Sequence, residues 1–381
     1  MSELSYDEWM SESDSVLWHI ERDPLLRSTI TSVWFLDSTP DRARMDDVVD
    51  RMVAKVPRLR QRVLDEQPGV APPRWAEDAD LDVDNHYSWI RLPTRRVSRR
   101  DVLDHAQRLG ARAFDKDRPL WELCVVDGLP GERAAFVMKV HHAIADGLGM
   151  VQLLQHMVDL EADPPPTDEP DLTSDPVSPA HRVVAPIWGI PGARSIAHRI
   201  ASETKTGVRI GQASWRTAGD LLRDPLATLS NLGRATGSIA RVVMPATTPL
   251  SPAMTGRSLN TRFDAVSVPF DQFKAAARQA GGTLNDVFVA TTLDALRRYH
   301  DEMGAPCDEV RMNMPVSVRG GESANRFDNQ FVPARMVLPL SVGDAAARIG
   351  EVRDLLRAVR AEPALPHVND ISGVIGRIGP S

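Results

Sequence analysis

Cysteine is scarce in this sequence: 381 residues contain two, Cys124 and Cys307. They are too widely spaced for a short metal-binding motif and too few for a disulfide framework, so a stapled secreted fold is excluded and a reducing, cytosolic setting is expected. Long apolar runs are also missing. No stretch approaches the roughly 20 residues that a membrane-spanning helix requires, so any bilayer contact is expected to be peripheral. The N-terminus, Met1-Ser2-Glu3-Leu4-Ser5-Tyr6-Asp7-Glu8, lacks the basic start and apolar run of a secretory signal. There is no excess of positive charge: the formal net charge is −7, and nucleic acid, a polyanion, is repelled overall. No Gly-x-Ser-x-Gly elbow, Walker loop or His-Glu-x-x-His occurs, which leaves serine hydrolysis, phosphoryl transfer and zinc peptidase chemistry without an anchor.

What remains is the composition of a globular protein, 42% hydrophobic and 25% charged, and longer than one core usually supports, so two sub-domains or one large two-lobed domain are expected. The apolar pattern predicts a mixed α/β (α+β) fold. In the first part it gives a strand at 30–36, a helix at 46–54 ending before Pro57 and a helix at 100–112. A continuous apolar run at 134–140 suits the middle of a sheet, and a helix follows at 150–160. Residues 161–186 are crowded with proline, including Pro164-Pro165-Pro166, and read as an extended linker. In the stretch 188–244, eight Lys and Arg face three Asp and Glu. Its apolar residues allow two readings, a basic amphipathic surface for anionic lipid head groups or crossover helices with solvated arginines. A second α/β part follows: a strand at 263–268, a helix at 271–279 stopped by Gly281-Gly282, and a long helix opened by Thr283 and running to His300. Strands at 310–316 and 331–340 and a helix at 345–360 complete it. The predicted divisions are 1–160, 161–257 and 258–381.

The chemistry-bearing element is His141-His142-Ala143-Ile144-Ala145-Asp146-Gly147, directly after the apolar run. A strand-to-helix connection commonly carries function. An imidazole titrates near neutrality, so a positioned one accepts the proton of an attacking alcohol and returns it to a leaving group. His142 is the candidate base. Asp146 and Gly147 have scaffold roles, one holding the loop and the other permitting tight backbone before the helix. The plain alternative stays open at this level: paired histidines at a strand end can be partly buried polar residues, and Asp-Gly is a common turn pair.

This element resembles the HHxxxDG motif of the chloramphenicol-acetyltransferase and condensation-domain superfamily. Further segments, in family order, are Ser13-Asp14-Ser15, Pro57-Arg58-Leu59-Arg60, Pro119-Leu120-Trp121-Glu122, Asn285-Asp286-Val287 and Pro315-Val316-Ser317-Val318-Arg319. They resemble the wax ester synthase/diacylglycerol acyltransferase family, in particular its actinobacterial triacylglycerol-forming members. The resemblance implies two acyltransferase-like lobes with a central tunnel, reached by acyl-CoA from one side and by a hydroxyl acceptor, diacylglycerol or a long-chain alcohol, from the other. His142 would act as general base without a covalent intermediate, His141 would support the loop, and Asp146 would pair with Arg319. Leu120, Trp121, Asn285 and Asp286 would lie at the substrates, although Thr283 and Asp286 also fit a helix-capping box and Leu120-Trp121 also fit a core. Acyl-CoA is a substrate here and no cofactor is implied. The expected site of action is a membrane or lipid-droplet surface on the cytoplasmic side. A donor loaded on a carrier protein, or a non-catalytic lipid-surface protein, are the competing readings. Two departures from the family pattern are Asp328 ahead of Asn329-Gln330, where glycine is expected, and a chain that stops early, implying an incomplete second lobe.

Overall fold

The computed structural model describes residues 6–65, 72–145, 147–159, 161, 250–317, 331–340 and 343–361. They form two compact units. The first runs to residue 161 and takes in 259–264; the second contains 250–258 and the described residues from 265 onward. The 188–244 stretch and nearly all of the proline-rich linker lie outside the described residues.

The first unit opens with α1 (Glu12–Ile20), started by Ser11, whose hydroxyl accepts the Asp14 amide. Then come β1 (Thr29–Leu36) and α2 (Arg42–Lys55). One stripe of α2, Met45, Val48, Val49, Met52 and Val53, is buried, and the helix stops at Val56 because the next residue is Pro57. A small antiparallel ribbon, β2 (Gln61–Leu64) with β3 (Arg74–Glu77), leads to β4 (Tyr87–Arg91). The helix α3 (Arg99–Ala111) is closed at its start by a reciprocal Ser98–Asp101 capping box. The strands β5 (Trp121–Leu129) and β6 (Arg133–His141) and the helix α4 (Gly147–Met157) follow.

Four of these strands form one sheet in the order β1-β6-β5-β4, antiparallel except for the parallel β4–β5 pair. The alternation of side chains divides its core in two. Leu123, Val125, Met138 and Val140 pack with the buried stripe of α2, while Cys124, Val126, Ala135 and Val137 pack with Val102, Ala106 and Leu109 of α3. Gly110 lets α3 approach closely, since a Cβ there would lie 2.5 Å from the Thr31 hydroxyl on β1. The strand bearing the histidine motif is thus central and buried on both faces, the position its continuous apolar run predicts.

The second unit contains α5 (Phe270–Gln279), α6 (Leu284–Glu302), β7 (Glu309–Ser317), β8 (Phe331–Pro339) and α7 (Ala345–Arg360). Between α5 and α6 the chain turns through Gly281 at φ +63°, and the Gly282 amide returns to the Ala277 carbonyl at 2.9 Å. Thr283 and Asp286 exchange capping hydrogen bonds at the start of α6. β7 and β8 pair antiparallel, and Leu293, Leu338, Val352 and Leu356 centre the core of this unit.

One predicted element is absent. Residues 263–268 form no strand. The Phe263 amide is held by the Gln107 side chain at 3.3 Å and its ring packs beneath α3, whereas Val266 is 91% exposed. The apolar alternation there belongs to a connection anchored at one end, not to a ladder. Among the described residues no helix is long and apolar enough to cross a membrane.

Candidate active site at the end of the central strand

Residues 139 and 141 project from the same face of β6, and both side chains are fully buried. Lys139 lies opposite Glu122 on β5 and its ammonium is 2.6 Å from that carboxylate. Burial draws the ammonium below the ordinary lysine range, with Glu122 acting in the other direction. Phe114 covers it, the Nζ standing 4.0 Å from the ring centroid.

His141 closes the strand. Its amide donates to the Leu120 carbonyl at 3.0 Å. Its Nδ1 accepts the Ala143 amide at 3.0 Å, so Nδ1 carries no proton and the ring is the Nε2–H tautomer. Nε2 stands 3.0 Å from Glu21 Oε1, approached obliquely rather than along the line of an ideal hydrogen bond. The rings of Trp18 and Phe114 meet the imidazole edge-on at 5.9 and 6.1 Å.

Glu21, the residue that ends α1, is itself nearly covered, with 7% of its side chain exposed. Oε1 also accepts the Ser28 amide at 2.8 Å, and Lys116 Nζ lies 3.7 Å from Oε2. Burial alone would raise its pKa; the His141 contact, the Ser28 amide and the Lys116 charge outweigh burial and hold it below the usual glutamate value.

His142 begins the turn beyond the strand and is half-buried. Its amide donates to the Ser28 carbonyl at 2.7 Å. Ala143, Ile144 and Ala145 are buried beneath the turn, and the Ile144 amide returns to the His141 carbonyl at 2.9 Å. Gly147 opens α4. Asp146 and Arg319, expected to pair, lie outside the described residues.

Leu120 and Trp121 are fully buried in the core of the first unit. The Trp121 indole N–H donates to the Leu59 carbonyl at 2.9 Å, and its ring stacks on His86 at 4.9 Å. In this placement the block supports the strand end from below. Asn285 and Asp286 belong to the second unit: Asp286 is buried in its capping box, and Asn285 donates to the Met314 sulfur at 3.8 Å. Among the described residues no three His, Cys, Asp or Glu side chains cluster as a metal ion would require.

Sequence reasoning missed Glu21 and Ser28, which reach the histidine pair from the segment leading into the neighbouring strand β1. The one local signal is a carboxylate at a helix C-terminus, where the dipole disfavours it unless a tertiary partner compensates.

Residues 10–288 match the wax ester synthase/diacylglycerol acyltransferase catalytic domain. A Mycobacterium tuberculosis protein named as a diacylglycerol O-acyltransferase is 32% identical over 373 residues, covering 95% of this chain and 72% of its own length. A Mycobacterium bovis protein of the same designation is 31% identical over 308 residues, 80% of this chain and 62% of that protein. Among solved structures, the first condensation domain of the calcium-dependent antibiotic synthetase aligns with a TM-score of 0.58 at 18% identity, over 97% of this chain and 78% of its own. The wax ester synthase/diacylglycerol acyltransferase from Marinobacter aquaeolei VT8 aligns at 0.53 and 18% identity, over 92% and 72%. These structural likenesses establish a mixed α/β fold of the condensation-domain type, the class expected from the motif.

Proposed function

The chain belongs to the wax ester synthase/diacylglycerol acyltransferase family and is an acyltransferase, and we propose that it moves a long-chain acyl group from acyl-CoA to the free hydroxyl of diacylglycerol, with His142 as general base. In this reading the acceptor oxygen attacks the thioester carbonyl while its proton passes to the His142 ring. The tetrahedral oxyanion then collapses, the carbon–sulfur bond breaks, and the departing CoA thiolate takes the proton from the imidazolium. No bond to the enzyme forms. The products are triacylglycerol and CoA, and the same base would serve a long-chain alcohol to give a wax ester. The lipid acceptor is met at a membrane or droplet surface, on the cytoplasmic side.

The observation that carries this assignment is the state of the neighbouring ring. His141 has one nitrogen accepting the Ala143 amide, the other against Glu21, and no exposure. A ring so placed has no nitrogen left to receive a substrate proton. Of the two motif histidines, the half-buried His142 is therefore the one suited to meet an acceptor. The names of the two mycobacterial relatives support diacylglycerol as that acceptor.

The test is transfer from radiolabelled palmitoyl-CoA to diacylglycerol or hexadecanol, with a His142→Ala control. Product from the unmutated chain, reduced on the order of 10²- to 10⁴-fold in the control, is the expected result. Full activity in His142→Ala would remove His142 as the base. Turnover with an acyl carrier protein but not with acyl-CoA would reassign the donor.

A further inference from the structure

We infer that Glu21 is a positioning residue for the acyl-transfer base: through His141 and Ser28 it sets the geometry of the turn that carries His142. The inference rests on His142 being the base and names a residue outside the His141–Gly147 motif on which that base depends.

Glu21 Oε1 accepts the Ser28 amide at 2.8 Å and stands against His141 Nε2 at 3.0 Å. Ser28, held by its N–H, turns its carbonyl to the His142 amide at 2.7 Å. His141, held at Nε2, turns its Nδ1 lone pair to the Ala143 amide at 3.0 Å. The backbone amides on either side of the His142 α-carbon, those of residues 142 and 143, are thereby fixed by two arms that meet at one carboxylate oxygen. If the imidazole flips or changes tautomer, the second arm is lost, because a protonated Nδ1 cannot accept the Ala143 amide. Trp18 and Phe114 flank the ring and limit its rotation. Lys116 supplies a positive charge on the outer side, 3.7 Å from Oε2, that favours the ionised carboxylate. A carboxylate that orients an imidazole is a common way to fix a ring's tautomer. Here the oriented ring is not the base but its neighbour, and what it conveys is backbone position.

The experiment uses the full chain with Glu21→Ala, Glu21→Gln and His142→Ala. Glu21→Gln keeps an oxygen beside the Ser28 amide and His141 Nε2; Glu21→Ala removes it. Glu21→Ala is expected to lower kcat roughly 10- to 100-fold with KM held within about threefold, as misplacement of a reacting group does. Glu21→Gln is expected to recover most of that loss. The second readout is the ring-nitrogen spectrum of ¹⁵N-histidine protein, in which His141 shows the Nε2–H tautomer in the unmutated chain, keeps it in Glu21→Gln and loses it in Glu21→Ala. Unchanged kcat in Glu21→Ala, in a preparation where His142→Ala is inactive, would overturn the inference. So would an Nδ1–H or cationic His141 in the unmutated chain, a result that needs no variant to fold. The nitrogen spectra decide the point even if palmitoyl-CoA and diacylglycerol are not turned over, so failure of the proposed reaction and failure of the positioning role are told apart.

Discussion

Lys139 and Glu122 face each other across the β5–β6 ladder, an entirely buried ammonium against a carboxylate that keeps 28% of its side-chain surface. The two partners are not equivalent. Removing the carboxylate leaves a buried charge without its counter-ion, whereas removing the ammonium leaves Glu122 still bonded to Arg112 at 2.9 Å and in touch with water. Glu122→Ala should therefore cost roughly 3 kcal/mol and Lys139→Met no more than about 1 kcal/mol, by denaturant unfolding. The order reversed would mean that the ammonium, not the carboxylate, anchors the pair.

The same pair carries a pH signature. Lys139 holds its proton less tightly when folded than the ordinary value of 10.5, chiefly because it is buried. The unfolded chain binds more protons between the two values, so stability rises with pH through that window. Glu122 opposes the shift, and its removal should steepen the rise. A Glu122→Ala protein whose stability is no more alkaline-dependent than the parent would contradict this.

Glu21 predicts the opposite limb. Its folded pKa lies below its ordinary value of 4.5, since the His141 and Ser28 contacts and Lys116 outweigh burial. Its stabilising contribution is complete above that value and is lost as pH falls through the folded pKa. Unfolding curves from about pH 6 down to about pH 3.5 should lose stability less steeply in Glu21→Gln than in the parent. Parallel curves would show that the carboxylate is not linked to folding.

Trp121 separates a core role from a substrate wall. Trp121→Phe leaves the Leu59 carbonyl without its indole donor and should cost about 1–3 kcal/mol. With the ring fully buried, the preference among acyl chain lengths should not change. A shifted chain-length profile in a protein of unaltered stability would put Trp121 at the acyl chain after all.

Thr283→Ala removes the hydroxyl that caps α6 and should lower stability by about 1 kcal/mol. Thermal unfolding measures it directly, and no loss would mean that the Asp286 arm of the box suffices.

Local pattern was a good guide where a single element carries its own signal. The buried run at 134–140, the capped helix after Thr283 and the spacing at 345–360 appear as β6, α6 and α7. It failed at 263–268, where apolar alternation had no neighbouring ladder to join, and it overlooked the short α1 and the paired β2 and β3, whose formation depends on contacts remote in sequence. The histidine motif was legible because its residues are contiguous. Glu21 and Ser28 were not, because only the β1–β6 register, with Thr29 opposite His141, brings them there.

The helix that Glu21 caps is nine residues long, too short to persist in water without its packing. The support of the histidine pair therefore hangs on the shortest α-helix among the described residues of the first unit, not on the sheet that bears the pair. Fraying of two or three terminal residues, an opening far less costly than global unfolding, would release the carboxylate while every strand stays paired. Thermal inactivation in this chain should then run ahead of the loss of sheet structure, with resistance to heat set by the end of α1 and not by the core.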